Sequence, residues 1–405
     1  NISLAVDEDR VAPAVAAIHR EFGLHRRDTG DDRGSSLDLL LIGFGNIGRS
    51  LADLVAARAG HVRERFGLDP RIVGICDRSG FLFAPRGLSD ATISDAHAAK
   101  HAGRGLATVA GATATEDATD LVQHALDYRL CRPVCVDVSD ADGADRTFLE
   151  ALRSGCDVVT ANKKPLAGDL AVFRALLDEA ARNGRVLRAE ATVGAGLPVV
   201  DTLEMLLATG DRLHDAAGCL SGTLAFLTMR LEDGARLSDA VAEAVELGYT
   251  EPDPVADLSG IDVLRKAIIL GRLSGLADGT ASTERTGLVG DDLAGLPLPT
   301  LIERLRADHD GPMAERLRQA RDDGRVLRYV ARVREGAIRV GPEAVDPDDP
   351  LGRLKGTDNR IVFRSERYND RPLVITGPGA GVEVTSMGVL GDIIRIAAER
   401  AGASR

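Results

Sequence analysis

The sequence predicts an α/β fold in which a doubly wound parallel sheet is followed by a second domain of mixed α+β structure. Three observations carry this. Short apolar runs alternate with amphipathic helical stretches from 37 to about 192, the pattern of strands joined by crossover helices. A glycine triplet stands between the first of these runs and the helix after it. Beyond 198 the pattern becomes mostly helical, then strand-like over 326–376, and it ends in an apolar helix near 383–399.

The elements follow in order. Residues 2–6 read as a short strand, and 9–22 as an amphipathic helix with Val11, Val15, Ile18 and Phe22 at helical spacing. A polar linker rich in Arg, Asp, Gly and Ser runs to Ser36, and this opening segment is too short to be a domain. Leu37 to Ile42 is continuously apolar apart from Asp38, as expected of a strand buried on both faces. Further strands are expected at 72–76, 133–138, 157–160 and 186–192, with helices to about 57, near 119–128, 144–153 and 169–182. Helices are expected at 199–209, 223–233, 236–247, 260–275 and 299–323, and strands at 326–333, 337–340, 360–364 and 373–376.

Composition narrows the class. The 405 residues suit two or three domains, and 44% apolar with 28% charged residues is enough for packed cores. No apolar run reaches membrane-spanning length, and the start lacks a secretory pattern. Five cysteines, an odd number spread along the chain, do not form a disulfide framework and point to a reducing cytoplasm. A net charge of −12 without a basic patch argues against nucleic acid as a partner. Only 5 of the 50 basic residues are lysines, at 100, 163, 164, 266 and 355. Arginine cannot give up its proton near neutral pH, so a retained lysine marks a place where a compact, titratable amine is useful.

Four motifs carry chemistry. Gly43-x-Gly45-x-x-Gly48 follows a buried strand and opens a helix, as a dinucleotide fingerprint does. The first glycine permits the turn, the second lets backbone approach a pyrophosphate, and the third lets helix and strand pack closely. Asn46 and Ile47 lie within it. Asp77 ends the second strand, where a carboxylate binds a ribose 2′-hydroxyl, while Arg78 beside it suits a 2′-phosphate. NAD and NADP therefore both stay open. Asn162-Lys163-Lys164-Pro165 follows a strand at the expected ligand-binding edge. In the run from Gly248 to Lys266, Asp262 and Lys266 form an i, i+4 pair on a helix with apolar neighbours, which marks Lys266 as a buried acid/base group. Glu190 to Pro198 ends a strand in small residues whose carbonyls could hold a monovalent cation. His97 and His101 have helical spacing but no third ligand nearby, which argues against a metal there.

These motifs and others occur in register: Leu-Ser-Gly-Thr-Leu at 220–224, Gly-Tyr-Thr-Glu-Pro-Asp-Pro at 248–254, Leu-Lys-Gly-Thr-Asp-Asn at 354–359 and Gly-Ala-Gly-x-x-Val-Thr from 379. Over 37–400 the chain resembles homoserine dehydrogenase. Its first residues, Asn-Ile-Ser-Leu-Ala-Val-Asp-Glu-Asp, resemble the end of the ACT regulatory region of aspartate kinase. With the absent initiator Met, this suggests the C-terminal part of a bifunctional aspartokinase/homoserine dehydrogenase whose kinase domain lies upstream.

The resemblance implies a Rossmann-type domain over 37–188, completed by a helix over 382–405, and a substrate-binding and dimerisation domain over 189–381. It implies NAD(P)H-dependent reversible reduction of L-aspartate 4-semialdehyde to L-homoserine by a homodimer or larger homo-oligomer. Lys266 becomes the proton donor, with Asp262 and Lys164 in the catalytic set and Lys164 between cofactor and substrate; Glu251 and Asp262 hold the substrate ammonium, and Asp257 supports the lysine and the hydroxyl end. Glu251, Asp257, Thr223 and Tyr249 line the substrate pocket. Ser139 and Gly381 join the cofactor contacts. Glu190, Val193, Ala195 and Leu197 match a site for Na⁺ or K⁺ built mainly from backbone carbonyls. One departure is Val138, where a polar residue is expected. A thioester mechanism on the same scaffold would instead need a nucleophilic cysteine, and Cys219 is the nearest to the substrate motifs.

Overall fold

A computed structural model describes residues 36–277 and 279–402; the strand and helix expected within 1–35 lie outside them. The first sheet contains β1 (Ser36–Ile42), β2 (Asp69–Asp77), β3 (Gly80–Phe83), β4 (Thr113–Ala114), β5 (Val134–Asp137), β6 (Asp157–Thr160) and β7 (Leu187–Arg188). Its order is β4-β3-β2-β1-β5-β6-β7. Strands β2, β1, β5, β6 and β7 are parallel, and β3 and β4 add an antiparallel edge. The chain leaves β1 toward β2 and later returns to β5 on its other side, so the strand order reverses there and opens a crevice. Register aligns Ile42 with both Cys76 and Asp137, and Asp137 with Thr160, which brings four strand ends to one edge.

The leucines of β1 are buried because crossover helices cover both faces. On one face the helices Asn46–Phe66 and Val382–Gly402 pack together through Leu51, Ala52, Val55, Val389, Leu390 and Ile393. The final helix thus returns to the first sheet although its sequence follows the second.

The second sheet contains β8 (Leu213–Cys219), β9 (Ser282–Arg285), β10 (Val326–Arg334), β11 (Ala337–Val345), β12 (Asn359–Ser365) and β13 (Leu373–Gly377), in the order β13-β12-β8-β10-β11-β9. One face buries Ala216, Leu327, Tyr329, Ala331, Val333, Ile361 and Phe363 beneath the helices of 199–322. The central strand β8, Leu-His-Asp-Ala-Ala-Gly-Cys, is absent from the sequence reading because it lacks the β-branched and aromatic residues that signal strands. Its small residues have a packing reason: a Cβ on Gly218 would stand 3.0 Å from the Arg360 carbonyl oxygen.

Other expectations change: the first helix, expected to end near 57, runs on to Phe66. The strand expected over 186–192 ends at Arg188, and Glu190–Thr192 forms a 3-10 turn. The Glu190 carboxylate turns back to accept the N–H groups of Val199, Val200 and Asp201 at 2.7–2.8 Å, capping the helix Val199–Ala208. The helix expected over 299–323 divides into Leu298–Arg304, a π-helical turn Leu305–His309, and Asp310–Asp322. Pro312 accounts for the division, since its ring would collide with the carbonyl four residues back in a regular helix.

Docking of the last helix rests on apolar burial, and Ile393 has no exposed surface. Ile393→Ala is expected to cost ~2–5 kcal/mol of stability, read as a lower urea midpoint at unchanged slope. An unchanged midpoint would mean that this helix is not integral to the first domain.

Candidate active site

The glycine fingerprint sits at the strand-order reversal. Gly43 has φ +90°, and a Cβ there would lie 2.8 Å from the Ser139 nitrogen at the end of β5. A Cβ on Gly48 would lie 2.0 Å from the Gly43 carbonyl oxygen, whereas one on Gly45 would meet nothing within 4 Å. The outer glycines therefore let backbone meet backbone, and the middle one leaves open space at the N-terminus of the helix Asn46–Phe66. A cleft of about 980 Å³ runs from this turn past Asp77, Arg78 and Lys100 to Asp137, Val138 and Ser139. This open backbone cradle fits a dinucleotide pyrophosphate. Asn46 holds Arg49 at 2.9 Å, and the Ile47 carbonyl accepts the Ser386 hydroxyl at 3.3 Å. Gly381, with φ +117°, precedes the same C-terminal helix, and its carbonyl accepts the Thr385 hydroxyl at 2.8 Å. Gly381 therefore stands at the start of the helix whose Ser386 reaches the fingerprint, outside the residues that line the cleft.

At the adenosine end Asp77 is fully engaged. Ser79 donates to Oδ1 through N (2.9 Å) and Oγ (2.6 Å), while Lys100 Nζ (2.6 Å) and Leu106 N (3.2 Å) reach Oδ2. Burial acts to raise the Asp77 pKa, but Lys100 and the Ser79 and Leu106 donors outweigh it and hold the carboxyl below its ordinary value. The sequence singles out Lys100 as a retained lysine but gives it no partner, because only the fold brings the helix Asp90–His101 to the end of β2.

At the other end Asp137 is buried, and burial lifts its pKa to about 6 although Ser139 N and Asn162 Nδ2 donate to it. Ser139 Oγ accepts Ala141 N at 3.2 Å, and Val138 leaves an apolar surface between them. Asn162 also donates to the Ala141 carbonyl at 3.0 Å, so it staples the β5 loop to the lysine motif.

The second half of the site comes from two helices. Pro254–Leu258 carries Asp257, and Ile261–Ser274 carries Asp262 and Lys266 one turn apart. Between them Gly260 has φ +72°, and a Cβ on it would fall 1.8 Å from the Tyr329 hydroxyl, so the break in direction needs glycine. Lys266 is buried, at 9% exposure. Its ammonium donates to the Leu220 carbonyl at 2.7 Å and pairs with Asp262 Oδ2 at 2.8 Å. Lys163 Nζ stands 3.2 Å from the other Asp262 oxygen. Burial pushes the Asp262 pKa up, but Lys266 and Lys163 override it and hold the carboxyl well below the usual range.

Asp257 takes Glu251 N at 2.8 Å and the Thr223 hydroxyl at 3.5 Å. Burial raises its pKa to about 6, helped by the negative charges of Glu251 and Asp262. Thr223 also donates to the Tyr249 carbonyl at 2.5 Å, and the Tyr249 ring packs edge-on against Phe226. Thr223, Asp257, Asp262 and Lys266 thus converge, while the Glu251 and Tyr249 side chains stand exposed at the rim.

The two lysines of the Asn-Lys-Lys-Pro motif part company. Lys163 meets Asp262, whereas Lys164 donates to the Asp140 carbonyl at 2.7 Å and pairs with Asp142 at 3.1 Å. The lysine that joins Lys266 and Asp262 is therefore Lys163, which adjacency in sequence could not distinguish from Lys164. In the proposed cation loop the Glu190 side chain is spent on helix capping. Ala195 has φ +56°, and its carbonyl oxygen is 2.7 Å from where a Gly388 Cβ would stand. The main-chain oxygens of Glu190, Val193, Ala195 and Leu197 are then the first ligands to consider. His97 lies edge-on to Phe44, and no cluster of three or more His, Cys, Asp or Glu suited to a metal occurs among the described residues.

Comparison with known proteins fits this arrangement. The signature of homoserine dehydrogenase matches residues 198–394, and that of its NAD binding domain matches residues 43–190. Homoserine dehydrogenase of Paracoccidioides brasiliensis is 41% identical over 277 residues, covering 65% of this chain and 74% of the fungal one. The chain belongs to the homoserine dehydrogenase family. It is also 33% identical to the chloroplastic bifunctional aspartokinase/homoserine dehydrogenase 2 of Arabidopsis thaliana, over 98% of its own length but only 42% of that protein's. The fold matches a hyperthermophilic archaeal homoserine dehydrogenase solved in complex with NADPH, with TM-score 0.70 and 28% identity over 90% of this chain and 98% of that one. The cleft lies within the matched NAD binding domain.

The tightest point of that site is the contact of Gly48 with Gly43. Gly48→Ala is expected to raise the Kd for NADPH at least ~10-fold, read by nucleotide fluorescence, because the methyl must displace main chain from under the pyrophosphate. Unchanged binding would refute this account of the turn.

Proposed function

We propose that this chain catalyses reversible NAD(P)H-dependent reduction of L-aspartate 4-semialdehyde to L-homoserine, with Lys266 as proton donor. The observation that carries the reading is a buried ammonium 2.8 Å from Asp262, on a helix tied through Lys163 to the motif that Asn162 and Lys164 bond to the β5 loop lining the nucleotide cleft. Two of the three Lys266 N–H donors go to Leu220 and Asp262, which leaves the third for a substrate oxygen. Bound NAD(P)H supplies the hydride. Lys266 gives a proton to the carbonyl oxygen in reduction and takes it back in oxidation. Asp262 holds both lysines in place and offsets their charge. Asp257 and Glu251 receive the substrate ammonium, whose charge favours the ionised Asp257 carboxyl, and Thr223 borders the same pocket.

A thioester route finds no support. Cys219 is buried on β8, and burial pushes its thiol pKa to about 12, so it does not supply a thiolate at neutral pH. Between the cofactors, the adenosine end favours NADP. The Asp77 oxygens are already taken and its charge is offset by Lys100, while exposed Arg78 lines the cleft beside it. The reading also includes an aspartate kinase upstream, a homodimer or larger assembly in the cytoplasm, and Na⁺ or K⁺ on the carbonyls near Ala195. The bifunctional relatives and the left-handed turn at Ala195 support the first and last of these.

Lys266→Ala is expected to lower kcat for homoserine oxidation by ~10²–10⁴-fold while NADP binding survives. Near-normal turnover would remove Lys266 from the mechanism. Arg78→Ala is expected to raise KM for NADPH ~10-fold with little change for NADH, and an equal effect on both would place the 2′-phosphate elsewhere.

A further inference from the structure

The two halves of the site belong to different parts of the fold. The lysine motif lies on the loop after β6 and on the one-turn helix Lys164–Ala167, whereas Asp262 and Lys266 ride on Ile261–Ser274. Relative motion is the default for elements joined only across such a boundary. Lys163 and Asp262 make one tie, near the start of the long helix.

A second tie lies ten residues along that helix, about 15 Å away at 1.5 Å per residue. Arg272 sends Nη1 to the Leu166 carbonyl at 2.5 Å and Nη2 to the Gly168 carbonyl at 2.6 Å. These oxygens lie at the C-terminal end of the short helix, where helical carbonyls lack partners of their own. The guanidinium also stacks over the Phe173 ring, with its carbon 5.4 Å from the centroid. Nothing in this set is a carboxylate, so Arg272 is not half of an ordinary ion pair. Its planar fork matches two carbonyls at fixed separation, which a lysine ammonium cannot reproduce. A Cβ on Gly279 would fall 2.1 Å from a Leu170 side-chain carbon, so the backbone after the long helix also packs against the start of the helix Leu170–Arg182 that follows this segment.

We infer that Arg272 is a positioning residue, which clamps the 162–168 segment to the catalytic helix and so sets the register at which Lys163 meets Asp262. The inference rests on the activity proposed above. With the clamp in place, one Asp262 oxygen faces Lys163 and the other orients Lys266. Without it, the short helix pivots about the Lys163 contact, and the nucleotide cleft shifts relative to the Lys266 ammonium. Misplacement of about 1 Å at a reacting centre can cost ~10²-fold in rate.

The test compares the full chain with Arg272→Ala and Arg272→Lys in homoserine oxidation, alongside NADP binding by fluorescence. Both variants are expected to lose at least ~10-fold in kcat while Kd for NADP stays within about twofold. Added guanidinium is expected to restore turnover to Arg272→Ala several-fold and to do nothing for Lys266→Ala. Arg272→Lys keeps a charge at the site and gives the reading if the alanine variant does not fold. Turnover within about twofold of the parent in either folded variant overturns the inference, as does a loss in Arg272→Ala that guanidinium leaves unrepaired. Absence of homoserine turnover in the parent chain would instead overturn the proposed activity, so the two failures are told apart.

Discussion

The carboxylate of Asp262 is the point on which the site depends. It lies between two ammonium groups, one carried by the substrate-side helix and one by the loop bonded to the wall of the nucleotide cleft. A buried charge without a partner is costly, and two ammonium groups close together repel. One acid between them offsets both charges and fixes where each points. The depressed Asp262 pKa expresses the same balance. The bridge stays ionised through the neutral range, and its contribution disappears only as pH falls through the depressed folded value.

Around that bridge the structure uses backbone proximity more than side-chain bulk. Gly43 and Gly48 allow main chain to meet main chain beneath the nucleotide, and Gly260 lets the two acidic helices meet at a sharp angle against Tyr329. Each contact leaves no room for a methyl group. The rest of the scaffold is conventional: a mainly parallel sheet covered by helices, and a mainly antiparallel sheet whose packed face supports the helices that carry the acids.

Much of this was legible in sequence because it rests on local pattern. Apolar runs flanked by helices gave away the first sheet, and the i, i+4 pair of Asp262 and Lys266 lay on an apolar helix that could only be buried. Other features had no such signal. Strand β8 is central by position yet built of small residues, so its propensity says little. Lys100 lies far from Asp77 in sequence and reaches it only because an intervening helix folds back. The π-helical turn before Pro312 did carry a local sign, a proline inside a helical pattern, which an uninterrupted helix over 299–323 overlooks.

By itself the sequence determined which residue types were available and which periodic faces were apolar, and hence the strand–helix alternation, the glycine turn and the spacing of the catalytic acid and amine. Those properties follow from short-range sterics and from the solvation of single side chains. The tertiary structure alone decided that Lys163 and not Lys164 completes the bridge, that Glu190 caps a helix, and that Asp77 is already neutralised. In each case adjacent or distant residues compete for one partner in three dimensions. The outcome depends on the directions in which packed elements present their side chains, which a linear order of residues does not contain.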